Sequence, residues 1–362
     1  MSSTESVSPH DVIVCACGTQ EYTAHDAIDA ATFRCELEDE WQKFLRHIAA
    51  EERADELELE LDESAISGAA EEFRYSHDLI TAEETEAWLA NRGLTFDDFS
   101  DYFARQYCVG AIDEGFSPKQ IGYAFAGPEL RDSFVAELIL SGALEDMTIK
   151  LIRRLAARCA GNEPKPDAIA AEERKFLHRV GIEPAQLANW LEELGRDSQW
   201  LNEMLAIEAA YGTHCDRLLV PEARQRELMG LRLHLTRFET EVIELESHDA
   251  AKEALFCVRE DGMSMEEVAS EGRYPYRRAD FLLEDLPADA QQKYLSVSPG
   301  DMLEPMPHGD GFELCRVIKK IEPQPDDPSV KSRVDQRLLD QYFSDLTTKY
   351  TYPRLSVPVS VE

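Results

Sequence analysis

No stretch of this chain approaches the ~20 consecutive apolar residues that a helix needs to cross a bilayer, so an α-helical membrane protein is excluded. The opening Met1-Ser-Ser-Thr-Glu-Ser-Val has neither the basic nor the apolar region of a secretory signal, and the expected setting is cytoplasmic. Basic residues are scarce. Lys and Arg number 37 against 72 Asp and Glu, and the net charge of −35 argues against a phosphate backbone as partner. Such a field favours a basic peptide or protein and repels anionic surfaces, so neither nucleic acid nor membrane is expected as a partner. Either the acidic excess is a solubility feature spread over solvated helix faces, or the blocks Glu36 to Glu40 and Glu51 to Glu63 are where a basic client docks.

Catalytic signatures are missing as well. The nine histidines include no H-E-x-x-H, and His214-Cys215 stands as a bare dipeptide. There is no glycine-rich phosphate loop, no nucleophile elbow and no paired-carboxylate motif in a distinctive context. No cofactor, metal ligand or catalytic residue is therefore assigned. The eight cysteines include one close pair, Cys15-Ala-Cys17, but a metal site more often has two intervening residues and a second pair. A chain of 362 residues with 43% hydrophobic content can build cores without bridges, so all eight are expected as free thiols.

What the chain does have is helix. From Ala24 to Arg226 the apolar spacing is helical, punctuated at Gly93, Gly110, Gly127-Pro128, Gly161 to Pro166, Gly181, Gly195 and Pro221. Thr81 with Glu84 forms a capping box, and Thr95-Phe-Asp-Asp98 opens the next helix with carboxylates in its favoured first turn. Glu56 to Asp62 alternates at period two between helices and reads as an extended connector or a frayed helix end. Leu37-Glu-Asp, with Lys43, Leu45, Arg46 and Ala49-Ala50, returns as Leu144-Glu-Asp with Lys150, Ile152, Arg153 and Ala156-Ala157. Phe73 and Trp88 return as Phe176 and Trp190. The simplest reading is a duplicated helical unit, residues 25–125 and 130–228; the other is that amphipathic helices of similar composition look alike.

The last third changes character. Thr240 to Ser247 alternates as a half-buried strand. His248 to Arg259 places Ala251, Leu255 and Val258 on one helical face and stops at Asp261-Gly262. Ser264 caps a short helix with Glu267 as box partner, and Leu286-Pro287 opens another that reaches Leu295. After Ser298-Pro-Gly-Asp301 and the turn Gly309-Asp-Gly311, Phe312 to Ile318 alternates again and closes the segment as a strand. Val330, Val334, Leu338, Tyr342 and Leu346 then mark a C-terminal helix within Asp327 to Tyr350.

That order resembles a parvulin-type peptidyl-prolyl isomerase domain. Gly262-Met-Ser-Met-Glu-Glu-Val-Ala269 looks like the parvulin G-x-x-F-x-x-L-A helix, and Val297-Ser-Pro-Gly-Asp301 like the L-x-x-G-E turn. Gly311-Phe-Glu-Leu-Cys-Arg-Val317 is similar to the G-Y-H-I-I-K-V strand. Val14 to Thr23 resembles the V-N-G-x-x-I-T hairpin that opens SurA-like and PrsA-like chaperones. The resemblance implies a mainly α protein with a small α+β domain: residues 1–24 an extension and hairpin, 25–228 a helical SurA-like lobe, 229–323 a degenerate parvulin-like domain, 324–362 a C-terminal helix and tail. In SurA-like chaperones that helix returns to the N-terminal lobe, which would bring the two chain ends together.

The chain also departs from the pattern. Parvulins carry a histidine in the first strand and another in the last, beside an acid or thiol, with a Met and a Phe holding the proline ring. Here the first strand has no histidine and the last-strand position is Glu313. The ring-holding positions fall on Leu286 and Ala290, with Leu295 where a second buried aromatic usually lies, and the catalytic loop is shortened to Ser270–Tyr276. Isomerisation faces a barrier of about 18–20 kcal/mol that a fitted pocket lowers. The leading expectation is a chaperone-like protein that binds polypeptide through Val242, Tyr276, Leu286, Ala290, Leu295, Phe312 and Glu313, along apolar walls between the lobe and the parvulin-like domain. Its client would be an unfolded chain such as the precursor of a ribosomally made modified peptide, presented to a modifying enzyme. The alternatives are an active prolyl isomerase and an acidic assembly subunit for one fixed protein partner.

Overall fold

The computed structural model describes residues 8–112, 117–161 and 163–353. The chain opens on β1 (Ile13–Cys17) and β2 (Gln20–Thr23), followed by α1 (Ala24–Phe33), α2 (Leu37–Glu56), α3 (Glu63–Ser76), α4 (Ala82–Ala90) and α5 (Phe96–Ala111). After the first undescribed gap come α6 (Pro128–Leu140), α7 (Ala143–Ala160), α8 (Pro166–Val180), α9 (Leu187–Glu193), α10 (Ser198–Leu218) and α11 (Pro221–Leu231). The second part runs β3 (Arg237–Leu245), α12 (His248–Arg259), α13 (Met265–Gly272), β4 (Tyr276–Leu282), α14 (Ala288–Ser296), β5 (Met306–His308) and β6 (Gly311–Ile321). It closes on α15 (Pro328–Tyr350) and β7 (Thr351–Pro353).

The chain divides into two compact units, residues 1–216 with 341–362, and residues 217–340. In the first, apolar faces of α1, α2, α5, α6 and α7 meet around Trp41, Phe44 and Phe134, all fully buried. Trp41 stands edge-on to Phe134 with centroids 4.9 Å apart, and its indole N–H donates to the Ile121 carbonyl at 2.7 Å, so the ring is buried without an orphaned donor. Capping boxes at Thr23–Asp26, Thr81–Glu84 and Thr95–Asp98 start α1, α4 and α5. Phe73 meets Trp88 edge-on at 5.6 Å, and Phe176 meets Trp190 in the same way at 5.4 Å. Residues 57–62, whose alternation suggests an extended segment, form no strand; they connect α2 to α3. The opening hairpin pairs antiparallel, and β7 adds to the other side of β1, with Cys17 opposite Thr351. The two ends of the chain therefore share one sheet.

Cysteine departs from expectation at one place. Cys17 on β1 and Cys159 near the end of α7 form a disulfide whose Cα atoms are 7.5 Å apart, across 142 residues of sequence. Only the fold brings these two together, so cysteine spacing could not reveal the pair.

In the second unit four antiparallel strands lie in the order β4-β3-β6-β5. Sequence reading finds the first and last long strands but not β4: it assigns Ser270 to Tyr276 to a shortened loop, of which Ser270 to Gly272 belong to α13, and gives residues 277–282 no element. Tyr276-Arg-Arg-Ala-Asp-Phe-Leu282 does not alternate apolar with polar because β4 lies at the sheet edge and carries charge on both faces. The β5–β6 hairpin turns at Gly309 and Asp310, Gly309 taking φ +53°. Gly311 then packs against the Leu245 carbonyl, where an added Cβ would lie 2.5 Å from that oxygen. Helices α12 and α13 cover one sheet face through Ala251, Leu255, Met265 and Val268. The N-terminal part of α15 packs Val330 and Val334 against Leu228, Leu231 and Leu235.

Candidate functional site

The opposite face of that sheet carries the candidate site. Along β3 the period of two sends Phe238 and Val242 to this face and Ile243 and Leu245 to the helix-covered one. Along β6 the same rule sends Cys315 and Val317 here and Phe312 and Leu314 away. Val242 is in register with Arg277 on one side and Cys315 on the other, and Glu244 lies opposite Glu313.

The floor is built around Tyr294 of α14. Its hydroxyl donates to the Cys315 sulfur at 3.1 Å, and its ring stands edge-on to Phe238 (5.5 Å, 79°) and Phe281 (5.3 Å, 87°). Burial pushes the Cys315 thiol up to about 11, so it is protonated and unreactive near neutrality. Burial, followed by the neighbouring thiol, likewise raises the Tyr294 phenol above its ordinary value. Half-buried Phe281, Leu286 and Met306 surround this floor.

One rim is charged. The Arg277 guanidinium bridges two strands, 3.1 Å from a Glu244 oxygen and 2.6 Å from a Glu313 oxygen, and His308 Nε2 is 3.5 Å from the same Glu313 oxygen. Glu313 is well covered for a carboxylate, its side chain 14% exposed. The first strand has no imidazole, since the sequence of β3 contains no histidine.

Of the residues singled out in the sequence, the structure brings Val242, Leu286 and Glu313 together on this face. Tyr276 and Phe312 point the other way: the Tyr276 hydroxyl donates to Glu241 at 2.9 Å, and Phe312 lies 5.1 Å from the His248 ring. Ala290 is half-buried on α14, and Leu295 is 44% exposed, the inward position being taken by Tyr294. Sequence reading passed over Tyr294, Cys315, Arg277 and Phe281. The alternation from Phe312 to Ile318 held a usable signal, because neighbours on a strand cannot share a face: Glu313 implies Cys315 and excludes Phe312.

This arrangement offers apolar side chains for an apolar side chain of a bound peptide and fixed charges for orienting it. The thiol on this face, Cys315, is buried and protonated near neutrality, and a buried phenol occupies the middle of the face.

No family model matches the chain, and no curated protein matches it. Among solved structures it is similar to the peptidylprolyl isomerase PrsA of Bacillus cereus, with 11% identity over 69% of this chain and 93% of that one and a TM-score of 0.37. It is similar to the foldase protein PrsA of Lactococcus lactis at 10% identity over 93% and 91% of the two chains, TM-score 0.29. It is also similar to a SurA-like chaperone of Campylobacter jejuni at 8% identity over 58% and 82%, TM-score 0.20. These identities and TM-scores are too low to carry an activity across.

Proposed function

We propose that the chain binds extended polypeptide on the Tyr294 face and holds it as a chaperone does, with no covalent step. The observation that carries this reading is the ring of half-buried Phe281, Leu286 and Met306 around a floor that is buried and already hydrogen-bonded. Apolar client side chains would rest on that ring, and the net charge of −35 favours clients with basic flanks. The finer reading is that the client is a precursor peptide handed to a modifying enzyme; it extends the sequence resemblance and is tested by co-purification from the native host.

The direct test is light scattering from a model client that aggregates on dilution from denaturant. The intact protein is expected to suppress aggregation, and Leu286→Gln combined with Met306→Gln, which adds no charge opposite Glu313, to weaken that suppression at a temperature where circular dichroism shows both proteins folded. Equal suppression by wild type and double variant would reject the site. A protease-coupled assay on an Xaa-Pro peptide covers the isomerase alternative: the expected rate is that of the uncatalysed peptide, and an acceleration lost in Glu313→Ala or Leu286→Ala would replace the holding role with catalysis.

A further inference from the structure

The first unit contains a second concavity, independent of the sheet face. A cavity of about 260 Å³ is bounded by the turn Pro9–Asp11, α1, the turn Tyr123–Phe125, the start of α6 and the segment entering α10. Part of its wall is apolar, formed by Tyr123, Pro128, Leu194 and Trp200.

Its polar wall is mostly committed to internal pairs. Asp29, pushed above the ordinary carboxylate range by burial, pairs with Arg196 and accepts from the Trp200 indole N–H at 3.1 Å. Arg196 also places a guanidinium nitrogen 3.1 Å from His25 Nε2. His25 Nε2 also lies 3.8 Å from an Asp29 oxygen, so that nitrogen already faces both members of the pair. His10 Nε2 is 3.3 Å from Asp132, and burial, the largest influence, pulls the His10 pKa down.

Arg131 differs. It lines the cavity half-buried on α6, yet among the described residues it has no ion pair and no hydrogen bond. A guanidinium carries five donors in a planar fork that matches a carboxylate.

We propose that this cavity binds an amino-acid-sized carboxylate with an apolar or aromatic body, its charge on Arg131 and its body against Tyr123 and Trp200. Size sets the first limit, because the cavity is smaller than the ~300–1,000 Å³ of sites for drug-sized ligands. Charge sets the second. One uncommitted cation balances one negative charge, whereas a phosphate dianion would leave excess charge beside Asp29 and Asp132. A cationic ligand finds both of those carboxylates already faced by partners. The ligand is either a free small acid or the C-terminal residue of a polypeptide, since the two present the same chemistry.

The test is calorimetric titration of the intact protein with N-acetyl-L-phenylalanine, its amide, and a tripeptide ending in Phe with a free carboxylate. The acid is expected to bind saturably and the amide roughly tenfold more weakly or not at all. Arg131→Gln, which breaks no internal pair, should weaken the acid by roughly ten- to a hundredfold with the melting midpoint unmoved. Leu194→Trp, which fills the cavity, should abolish binding. Competition by the tripeptide acid assigns the ligand to a chain terminus; competition by the small acid alone assigns it to a free molecule. Equal binding of acid and amide, unchanged affinity in Arg131→Gln, or no binding at millimolar acid overturns the proposal. None of these outcomes bears on the sheet face, which lies in the other unit.

Discussion

Tyr294 and Cys315 hold each other in place: the phenol donates to the sulfur across 3.1 Å, under two edge-on aromatic rings. The hydroxyl needs a partner because it is buried, and the sulfur is the acceptor that β6 presents there.

The consequence is a graded loss of stability. Tyr294→Phe keeps the packing and loses one hydrogen bond, a cost of about 0.5–1.5 kcal/mol. Tyr294→Ala also opens a cavity and should cost about 3–5 kcal/mol. Urea unfolding measures both. Alkylation adds a second readout, since Cys315 should resist a thiol reagent at pH 8 in the wild type, while exposed Cys35 reacts. In Tyr294→Ala the sulfur should become labelled. Rapid labelling of Cys315 in the native protein would show that the phenol does not cover it.

Arg277 bridges two opposed carboxylates and offsets their repulsion. Glu244 and Glu313 are cross-strand neighbours, and like charges in that position destabilise a sheet. Arg277→Met should therefore cost about 0.5–1 kcal/mol, a modest figure because the Arg277 and Glu244 side chains are 45% and 42% exposed. Adding Glu313→Gln should recover most of that loss. Additive effects in the double-mutant cycle would mean that the three charges do not act together.

How far the sequence announces this site depends on which force places each residue. Period-two alternation predicts β3 and β6 although apolar side chains of both strands are buried on both faces, because Glu239, Glu241, Glu244, Glu313 and Arg316 still interrupt the apolar residues. The Ser264–Glu267 box, a purely local device, is found in the structure as predicted, with Ser264 N–H 2.8 Å from the Glu267 carboxylate. β4 was illegible because an edge strand bearing Arg277 and Arg278 has no apolar stripe. The family resemblance puts Leu295 at the buried-aromatic position that Tyr294 occupies, and a nine-residue helix has too few turns for its own period to correct a one-residue slip, although neighbouring side chains differ by about 100° in direction. The cavity beside Arg131 draws on five separate segments and has no sequence signature.

The disulfide between Cys17 and Cys159 closes a loop of well over a hundred residues, which by chain entropy makes its removal costly. Cys159→Ala should lower stability by about 2–4 kcal/mol. A reducing agent should lower the wild-type melting midpoint similarly and leave that of the variant where it was. A wild-type midpoint indifferent to reductant would mean that the bridge is not closed in solution.

The start of α13 should be sensitive to acid, with a sign fixed by its cap. Glu267 accepts from the Ser264 backbone N–H and then from its hydroxyl, and both bonds hold its carboxyl below the ordinary glutamate value. A carboxyl depressed in the folded state contributes stability above its unfolded pKa and loses it as pH falls through the folded one. With an unfolded value of about 4.3, the contribution is whole at pH 6 and is lost progressively on acidification below that value. Glu267→Ala should therefore melt below wild type at pH 6, and the gap should shrink steadily as the buffer is taken towards pH 3. Because the carboxylate is solvent-facing, the difference should be small and should show first in amide exchange at Glu267 and Val268. A gap that stays constant from pH 6 to pH 3 would mean that the loss comes from the side chain's packing and not from its charge.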